Sequence, residues 1–197
     1  DAGVHASGQI AHLDTSTEID IDKVKYKINS FINKDVAINS IRKVKENIHA
    51  RFDAKDRTYH YFISELKNPF NQKLYWNLRH QLDVDKMNEA AKILYEYQDF
   101  TSFSKLHTDT VHNLCMIHSA VFYQNENELK FVITANRFLR GMVRAIVGSL
   151  VDVGLGKITA QDFRNIIEGK DRVLASSNAP SEGLYLAKIN YAEDIYL

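Results

Sequence analysis

The sequence predicts an α+β fold built around a mostly antiparallel sheet. Segments with strand and helix patterns mix along the chain without the strict strand-helix-strand alternation of a parallel α/β protein. Two consecutive strand patterns flank a short polar turn, which is typical of an antiparallel hairpin. A later segment is apolar on almost every side, as expected for a helix buried against a sheet. No repeat or linker divides the chain, so we expect one α+β unit.

Four segments make up the first part of this predicted fold. Residues 6–13 form a mixed apolar run after a glycine-containing turn, which suits a buried or half-buried strand. Residues 21–32 repeat apolar side chains at three- and four-residue spacing, the pattern of an amphipathic helix. Residues 36–44 follow as a strand. Residues 55–66 are rich in β-branched and aromatic side chains, which predicts another strand.

The middle of the chain predicts a helix followed by a hairpin. Residues 85–97 carry apolar side chains at helical spacing, and Asp85 is placed to favour the N-terminus of that helix. A loop rich in Ser, Thr and His comes next. Strand patterns at about 114–123 and 128–135 then flank the polar turn 124–128, and we expect them to pair as an antiparallel hairpin.

The last part of the chain predicts two helices and a strand. Residues 138–153 form the almost wholly apolar helix. Residues 159–167 form a second helix, which a threonine can cap at its start and a glycine closes at its end. Residues 183–191 have the pattern of a final strand.

Two arginines interrupt the apolar helix, and both need an explanation. Arg140 and Arg144 lie four residues apart, on one face of the predicted helix. A guanidinium group in apolar surroundings must pair with an anion to offset the loss of its hydration. We therefore expect a buried carboxylate partner for this pair of arginines.

Composition describes a folded, non-membrane protein and says little more about function. The chain has 197 residues, of which 45% are hydrophobic and 25% are charged, with a net charge of zero. No run approaches the roughly 20 apolar residues that cross a bilayer, and no signal segment opens the chain, so we expect a cytoplasmic protein. One cysteine, Cys115, cannot form an internal disulfide. Zero net charge means that any nucleic-acid binding must depend on local clusters of charge.

The first residues surround one acid and one histidine with small side chains. Residues 1–9 read Asp-Ala-Gly-Val-His-Ala-Ser-Gly-Gln, a composition suited to a tight loop that holds a side chain against a ligand. An ordinary glycine turn before a strand is the alternative. Asp1 is thus a candidate catalytic residue that composition alone does not establish.

Positive charge is concentrated in two stretches of the chain. Such clusters suit phosphate groups, and the neighbouring Tyr59 and Tyr61 could stack on a displaced base. A solvated strand face beside aromatic core residues explains the same pattern equally well. The clustered cations are Arg42, Lys43, Lys45, Arg51, Lys55 and Arg57 in the first stretch and Arg137, Arg140 and Arg144 in the second.

A metal site and the common nucleotide and hydrolase motifs receive little support. His107, His112, Cys115 and His118 have a spacing that suggests zinc. Positions 112, 115 and 118 fall on a predicted strand, however, where side chains alternate in direction, so Cys115 would point away from both histidines. The sequence contains no P-loop, G-x-G-x-x-G, H-E-x-x-H or G-x-S-x-G motif. We expect neither a metal nor a cofactor.

Several separate blocks resemble the tRNA pseudouridine synthase A family. Together, in order and spacing, they cover nearly the whole chain, and their joint occurrence is specific although no single block would be. The blocks are D-A-G-V-H-A-S-G-Q at 1–9, H-A-R-F-D-A at 49–54, R-T-Y-H-Y at 57–61, D-F-T-S-F at 99–103, N-R-F-L-R-G-M-V-R-A-I-V-G at 136–148 and E-G-L-Y-L at 182–186.

The resemblance implies a pseudouridine synthase fold and an RNA substrate. Two ferredoxin-like halves would share a mixed, mostly antiparallel sheet with flanking helices and a central cleft. Residues 1–52 would be the remainder of the N-terminal half and residues 53–197 the C-terminal half of one catalytic unit. The resemblance further implies a homodimer that binds tRNA and converts uridines on the 3′ side of the anticodon stem-loop, without a metal or cofactor.

The resemblance also implies roles for particular residues. Asp1 matches the catalytic aspartate, Tyr59 the tyrosine that packs against the target base, and Arg144 the arginine that pairs with the aspartate. We therefore expect Asp1 and Arg144 at ion-pair distance, with Tyr59 facing the cleft and Phe62 facing the core. The residues implied to contact substrate are Val4, His5, His49, Arg51, Arg57, Tyr59 and Arg140, with Ala50, Phe52 and the polar loop 105–112 as further candidates.

The sequence departs from the family at its start, and this leaves a second function open. Family members carry Gly-Arg-Thr and a further strand and helix ahead of the aspartate, and these are absent here. A catalytically inactive RNA-binding module of the same fold is therefore the alternative to an enzyme.

Pseudouridine formation adds and removes no group, so one carboxylate can suffice. That carboxylate could attack the sugar or the base, or could take a proton from the ribose.

Overall fold

A computed structural model describes residues 2–105 and 111–197, which form two compact units. The first unit contains the described residues up to Gln9 together with Asp56–Asn190, and the second contains Ile10–Lys55 and Tyr191–Leu197. The strands of the described chain are β1 (His5–Ala6), β2 (Asp56–Ser64), β3 (Trp76–Asn77), β4 (Ile117–Asn125), β5 (Glu128–Ala135) and β6 (Leu184–Asn190). The α-helices are α1 (Ile21–Phe31), α2 (Val84–Lys92), α3 (Met142–Gly154) and α4 (Ala160–Glu168).

The first unit is built on one mixed sheet in which antiparallel pairs predominate. The strand order is β1-β6-β2-β5-β4, and β3 pairs with the end of β2. The pairs β2–β5, β2–β6 and β4–β5 are antiparallel, whereas β1 runs parallel to β6 and β3 parallel to β2. The predicted α+β class and the hairpin of β4 and β5 are both confirmed.

One face of this sheet carries the hydrophobic core. Tyr61, Phe131 and Phe122 occupy paired positions on β2, β5 and β4, and all three side chains are buried. They belong to the same cluster as the buried faces of α2, α3 and α4. Burial of apolar area stabilises a fold by roughly 25 cal/mol per Å². The nearly continuous burial along α3 explains why its sequence is apolar on almost every side.

Phe62 does not face the core, so that prediction is wrong. The buried apolar residues of β2 are Tyr61 and Ile63, whereas Phe62 is half-buried on the opposite face. There its ring stacks on Tyr75 at 4.9 Å and meets Tyr185 edge-on at 5.1 Å. Neighbouring positions on a strand point to opposite faces, and packing against the helices selects the odd-numbered positions.

Three predicted element boundaries need correction. The strand predicted at 6–13 is limited to β1, because beyond Ala6 the chain has no regular ladder. The strand predicted at 36–44 does not form, and only Val44 makes an isolated bridge, with Tyr196. The apolar helix begins at Met142 rather than 138, because Gly141 takes a left-handed φ of 77° immediately before it. Asp83 caps α2 through a bond from the Lys86 amide, and Asp85 lies in the first turn, where its charge favours the N-terminus as predicted.

The second unit contains α1 and a network of loops tied to the last residues of the chain. The Lys45 amide donates to the Ile195 carbonyl at 2.9 Å, and the Leu197 amide donates to the Lys43 carbonyl at 3.3 Å. Helix α1 forms where its apolar spacing predicts, with Asp20 as the N-cap, although none of its residues is fully buried. None of the helices in the described part of the chain combines the length and apolar character needed to span a bilayer.

Candidate active site

Strand β2 positions Tyr59 at the edge of the core face. Tyr59 pairs with Ile133 of β5 and Leu186 of β6, so its ring lies on the same face as Tyr61. The ring is half-buried and meets Phe138 edge-on, with centroids 5.2 Å apart. Burial raises the pKa of the Tyr59 phenol, and the positive charge of Arg57 partly opposes that shift. Tyr59 is therefore a neutral phenol with a fixed ring at physiological pH.

Arg57 lies two residues earlier on β2 and is held by the loop after β5. Its Nη1 donates to the Asn136 carbonyl at 2.7 Å. The Asn136 side chain accepts in turn from the Met116 amide at 2.7 Å, which ties this loop to the start of β4. Arg57 is half-buried, so its cation is fixed beside Tyr59 rather than free to sample solvent.

Arg144 lies in the first turn of α3 and bonds to a remote loop. Its side-chain Nε donates to the Ala179 carbonyl at 2.6 Å, while the Ala179 amide donates to the Arg144 carbonyl at 3.0 Å. The side chain is half-buried. Arg140 differs, because it precedes the helix and is exposed, so the predicted shared helical face of the two arginines is wrong. The backbone carbonyl of Arg140 accepts from the Lys105 amide at 3.0 Å.

Residues 175–181, called the 175–181 segment below, lie in the loop after α4 and contact both Arg144 and the N-terminal loop. Gly3 has a φ of 77°, and a Cβ placed on it would lie 2.7 Å from the Ser181 Oγ. The N-terminal loop therefore packs directly on the segment whose Ala179 accepts from Arg144. Asp1 lies outside the described residues, so the Asp1–Arg144 ion pair stays a prediction.

Val4 and His5 continue the N-terminal loop into the sheet. Val4 is half-buried against the core. The His5 ring stacks on Tyr185 at 4.7 Å, and its Nε2 lies 2.9 Å from the Lys73 carbonyl. Both side chains hold the loop in place, and their predicted contact with substrate stays a prediction.

The predicted RNA-contacting residues of the second unit form a tight loop around His49. The His49 Nδ1 accepts from the Arg51 amide at 3.0 Å and lies 3.4 Å from the Phe52 nitrogen, while the His49 amide donates to the Asp53 carboxylate at 2.6 Å. The ring of His12 lies 4.3 Å from that of His49, and its Nδ1 accepts from the Ala50 amide. This arrangement leaves Arg51 and Phe52 exposed at the tip, with Arg51 above the Phe52 ring.

Three more cations of the first basic stretch, Arg42, Lys43 and Lys45, have partners within the second unit. Lys43 pairs with Glu18 at 2.9 Å, and Lys45 lies 3.7 Å from Asp194. Arg42 lies over the Tyr196 ring at 5.1 Å. Exposed pairs of this kind contribute only about 0–1 kcal/mol and can exchange for phosphate contacts. These residues thus form a solvated surface that keeps its capacity to bind an anion.

The residues that suggested zinc are not gathered at one point within the described ranges. Cys115 is buried and His118 is exposed, as expected for side chains that point apart, and the exposed His112 ring lies 3.4 Å from Arg137 Nη1. His107 and the rest of 106–110 lie outside the described residues. Among residues 2–105 and 111–197, no three histidine, cysteine, aspartate or glutamate side chains form a group that could hold a metal ion.

Sequence reasoning missed the residues that hold the arginine and the N-terminal loop together. Ala179, Pro180 and Ser181 lie in a loop that shows no helix or strand pattern, so periodicity gives no signal there. The available signal was their position directly before the block E-G-L-Y-L at 182–186. Phe138, which contacts Tyr59, was expected to start a helix and lies in the loop before it instead.

A mostly antiparallel sheet backed by helices agrees with the fold of the pseudouridine synthase class. The profile of the tRNA pseudouridine synthase family matches residues 90–192. The chain belongs to this family, whose members are isomerases.

Relatives extend the match over the whole chain. The chain is 48% identical over 198 residues to tRNA pseudouridine synthase A of Bacteroides fragilis, covering 100% of this chain and 79% of the relative. It is 46% identical to tRNA pseudouridine synthase A of Porphyromonas gingivalis, over 100% of this chain and 80% of that protein. For tRNA pseudouridine synthase A of Bacillus subtilis the identity is 36%, over 97% of this chain and 78% of the relative.

Proposed function

We propose that this chain isomerises uridine to pseudouridine in tRNA and that Asp1 is its essential carboxylate. The observation that carries the proposal is the contact of Arg144 with the 175–181 segment, on which the glycine loop next to Asp1 also packs. Asp1 is two residues from Gly3 along the chain, and consecutive Cα atoms are about 3.8 Å apart. Family membership supports the same reaction.

The proposed reaction needs only groups that this chain carries. The bond from uracil N1 to the ribose breaks, the base turns, and a new bond joins C5 to the ribose while the C5 proton is lost and N1 gains one. Arg144 would keep Asp1 ionised by opposing the desolvation that raises a carboxyl pKa. Asp1 would then attack the sugar or the base, or take a ribose proton.

Tyr59 would serve as the floor for the flipped base. A uridine in stacked RNA must leave the stack before its glycosidic bond is accessible, and an aromatic ring compensates for the lost stacking. The edge contact with Phe138 fixes the Tyr59 ring. Its hydroxyl could also pass on the C5 proton.

We further propose that the substrate site is the 3′ side of the anticodon stem-loop and that the protein acts as a cytoplasmic homodimer. The exposed tip formed by Arg51 and Phe52 offers a cation and a ring to RNA. Arg57, Arg140 and His5 are proposed to contact the same substrate. Light scattering of the protein at increasing concentration tests the dimer, and mapping of modified positions tests the substrate site.

Replacement of Asp1 by asparagine tests the proposed function. In the Asp1→Asn variant, tritium release from C5-labelled uridine in tRNA should disappear, because an amide is neither a nucleophile nor a useful base. Affinity for tRNA should stay within about tenfold of the parent, since binding depends on many phosphate contacts. Affinity should also fall with salt to the same extent in both proteins.

Asp85→Asn is the matched control, because Asp85 is exposed on α2 and the substitution changes charge equally. This variant should release tritium at the parent rate. Comparable release by Asp1→Asn would contradict the proposal. A parent that binds tRNA but releases no tritium would instead be an inactive RNA-binding module.

A further inference from the structure

We propose that the hydroxyl group of Tyr61 is a positioning group for the reaction, because it fixes the segment that orients Arg144. This inference rests on the proposed function, since it takes Arg144 as the partner of the catalytic carboxylate. Tyr61 itself is fully buried, so it touches neither the substrate nor the reacting atoms. Its effect would pass entirely through the 175–181 segment.

The Tyr61 hydroxyl links the centre of the sheet to this segment. It donates to the Pro180 carbonyl at 2.7 Å, across a sequence separation of 119 residues. The ring lies directly under the backbone at Gly183, where a Cβ would come within 2.7 Å of the ring carbon that bears the hydroxyl. Buried tyrosine hydroxyls need a hydrogen-bond partner, and this one is used to hold a loop rather than to complete the core.

The neighbouring carbonyl holds the arginine. Ala179 accepts from the Arg144 side chain at 2.6 Å, so Tyr61 and Arg144 bind two successive carbonyl groups. The two carbonyls lie in adjacent peptide planes that meet at Pro180, whose ring restricts φ (-51° here), so the orientation of one carbonyl restricts that of the other. Ser181, the next residue, is the one on which Gly3 packs. The Tyr61 hydroxyl thus acts on both the arginine and the N-terminal loop.

Arg172 holds the other end of the same segment. Its Nη1 donates to the Ala175 carbonyl at 3.1 Å and to the Ser176 carbonyl at 3.2 Å, and its Nη2 donates to the Asn178 side chain at 2.9 Å. The segment is therefore held at its start by a guanidinium and near its end by a phenol. Reaction rates depend steeply on small displacements of catalytic groups, so loss of either contact should matter.

The charges around Tyr61 favour its role as a donor. Burial raises the pKa of the Tyr61 phenol far above its ordinary value, the negative charge of Glu182 raises it further, and the positive charge of Arg144 lowers it. The hydroxyl therefore keeps its proton at neutral pH. A permanent donor is suited to holding a carbonyl and unsuited to proton transfer.

Tyr61→Phe removes the hydroxyl while keeping the ring and tests the proposal. We expect the single-turnover rate of tritium release to fall about tenfold, with the dissociation constant for tRNA unchanged within about twofold. Tyr95→Phe is the matched control, because the Tyr95 hydroxyl also bonds a backbone group, the Ala120 amide at 2.8 Å, on β4. This control should keep the parent rate. Tyr61→Phe at the full parent rate would overturn the proposal.

Arg172→Lys gives an independent test that leaves Tyr61 in place. It keeps the charge but loses the forked contact with the 175–181 segment, so it should lower the same rate and leave the affinity for tRNA unchanged. If thermal melting shows that Tyr61→Phe does not fold, the rate of tritium release by Arg172→Lys tests the proposal instead. A full rate in Arg172→Lys would then overturn the proposal.

A double-mutant cycle with Arg144→Lys separates a positioning role from general destabilisation. If Tyr61 acts through Arg144, Tyr61→Phe should cost less than about twofold in rate once Arg144 is lysine. A full tenfold loss in that background would show that the hydroxyl acts independently and would overturn the proposal. Failure of the parent to release tritium would contradict the proposed function itself, whereas an active parent with an active Tyr61→Phe contradicts this inference alone.

Discussion

Cys115, the only cysteine in the sequence, lies shortly before β4 and is buried in the hydrophobic core. Its amide donates to the Gln98 carbonyl at 2.8 Å. Burial raises the pKa of its thiol to about 11, and the charge of Arg137 and a backbone bond from Leu139 only partly oppose that shift. The thiolate is the reactive form of cysteine, so a thiol that is both buried and protonated should be inert.

We predict that the Cys115 thiol reacts with an aromatic disulfide reagent at pH 8 at least about a hundredfold more slowly in the folded protein than in urea. The reason is that both access and the thiolate fraction increase on unfolding. Absorbance of the released thiolate measures the rate. The same protein in urea provides the control, and equal rates in the two states would contradict the observed burial.

For single residues, the sequence predicted which side chains matter better than it predicted which face of the sheet each side chain occupies. Strand β2 has aromatic side chains on both faces, so its sequence does not tell which set the helices cover. Tyr61 is buried and Phe62 is not, because α2, α3 and α4 lie on the side of Tyr61. Similarly, Arg144 was predicted to pair with a buried carboxylate, whereas the acceptor that the structure describes for its Nε is the Ala179 backbone carbonyl.

Helix α4 depends on a local signal at its first residue. The Thr159 hydroxyl accepts from the Asp162 amide at 3.1 Å, and the Asp162 carboxylate accepts from the Thr159 amide at 2.8 Å. This capping box satisfies two amides that have no partner inside the helix. The buried residues Phe163, Ile166 and Ile167 then connect the helix to the core.

We predict that Thr159→Ala lowers the free energy of unfolding by about 1 kcal/mol, because an alanine leaves the Asp162 amide without its cap. Urea unfolding followed by circular dichroism measures the change. Thr159→Ser retains the hydroxyl and should stay within about 0.5 kcal/mol of the parent. Equal loss in both variants would show that the methyl group, not the cap, stabilises this end.

Elements with a local cause were predictable, and elements that depend on distant partners were not. Helices α1 and α4 start and end within one or two residues of their predicted limits, because caps and apolar spacing define them. Residues 36–44 have the composition of a strand, but apart from the Val44 bridge they have no regular ladder. The early start predicted for α3 ignored Gly141, whose left-handed backbone sets the first turn.

Buried phenols make the stability of the whole molecule sensitive to alkali. The pKa values of Tyr59 and Tyr61 are raised in the folded state, mainly by burial. In the unfolded chain these groups ionise near pH 10. The folded state therefore binds more protons above that pH, so the stability is fully present below it and is lost as pH rises.

We predict that the free energy of unfolding falls between pH 9 and pH 11 and that Tyr61→Phe makes this fall less steep. Each buried phenol contributes a slope of up to about 1.4 kcal/mol per pH unit. Urea unfolding at several pH values measures the slope. Because the raised pKa of Cys115 contributes in the same direction, both proteins should carry Cys115→Ala. An unchanged slope would mean that Tyr61 ionises normally in the fold.

For the whole molecule, composition gave little information about function, whereas the order and spacing of the motifs indicated the protein family. A net charge of zero gives no sign of an RNA substrate, and even the first basic stretch contains three acids, Glu46, Asp53 and Asp56. The α+β class followed from the irregular mixture of strand and helix patterns. The division into two units was not visible, because the second unit joins residues from both ends of the chain, which no local pattern reveals.

The position of β6 in the sheet has a consequence for synthesis of the protein. This strand lies between β1 and β2, so the chain that follows Gly3 pairs with residues almost at the other end of the sequence. During translation the ribosome must release β6 before β1 has a neighbour to pair with. The loop around Gly3 therefore stays undocked until β6 has been synthesised, and a ribosome that stalls before β6 leaves β1 without its partner strand.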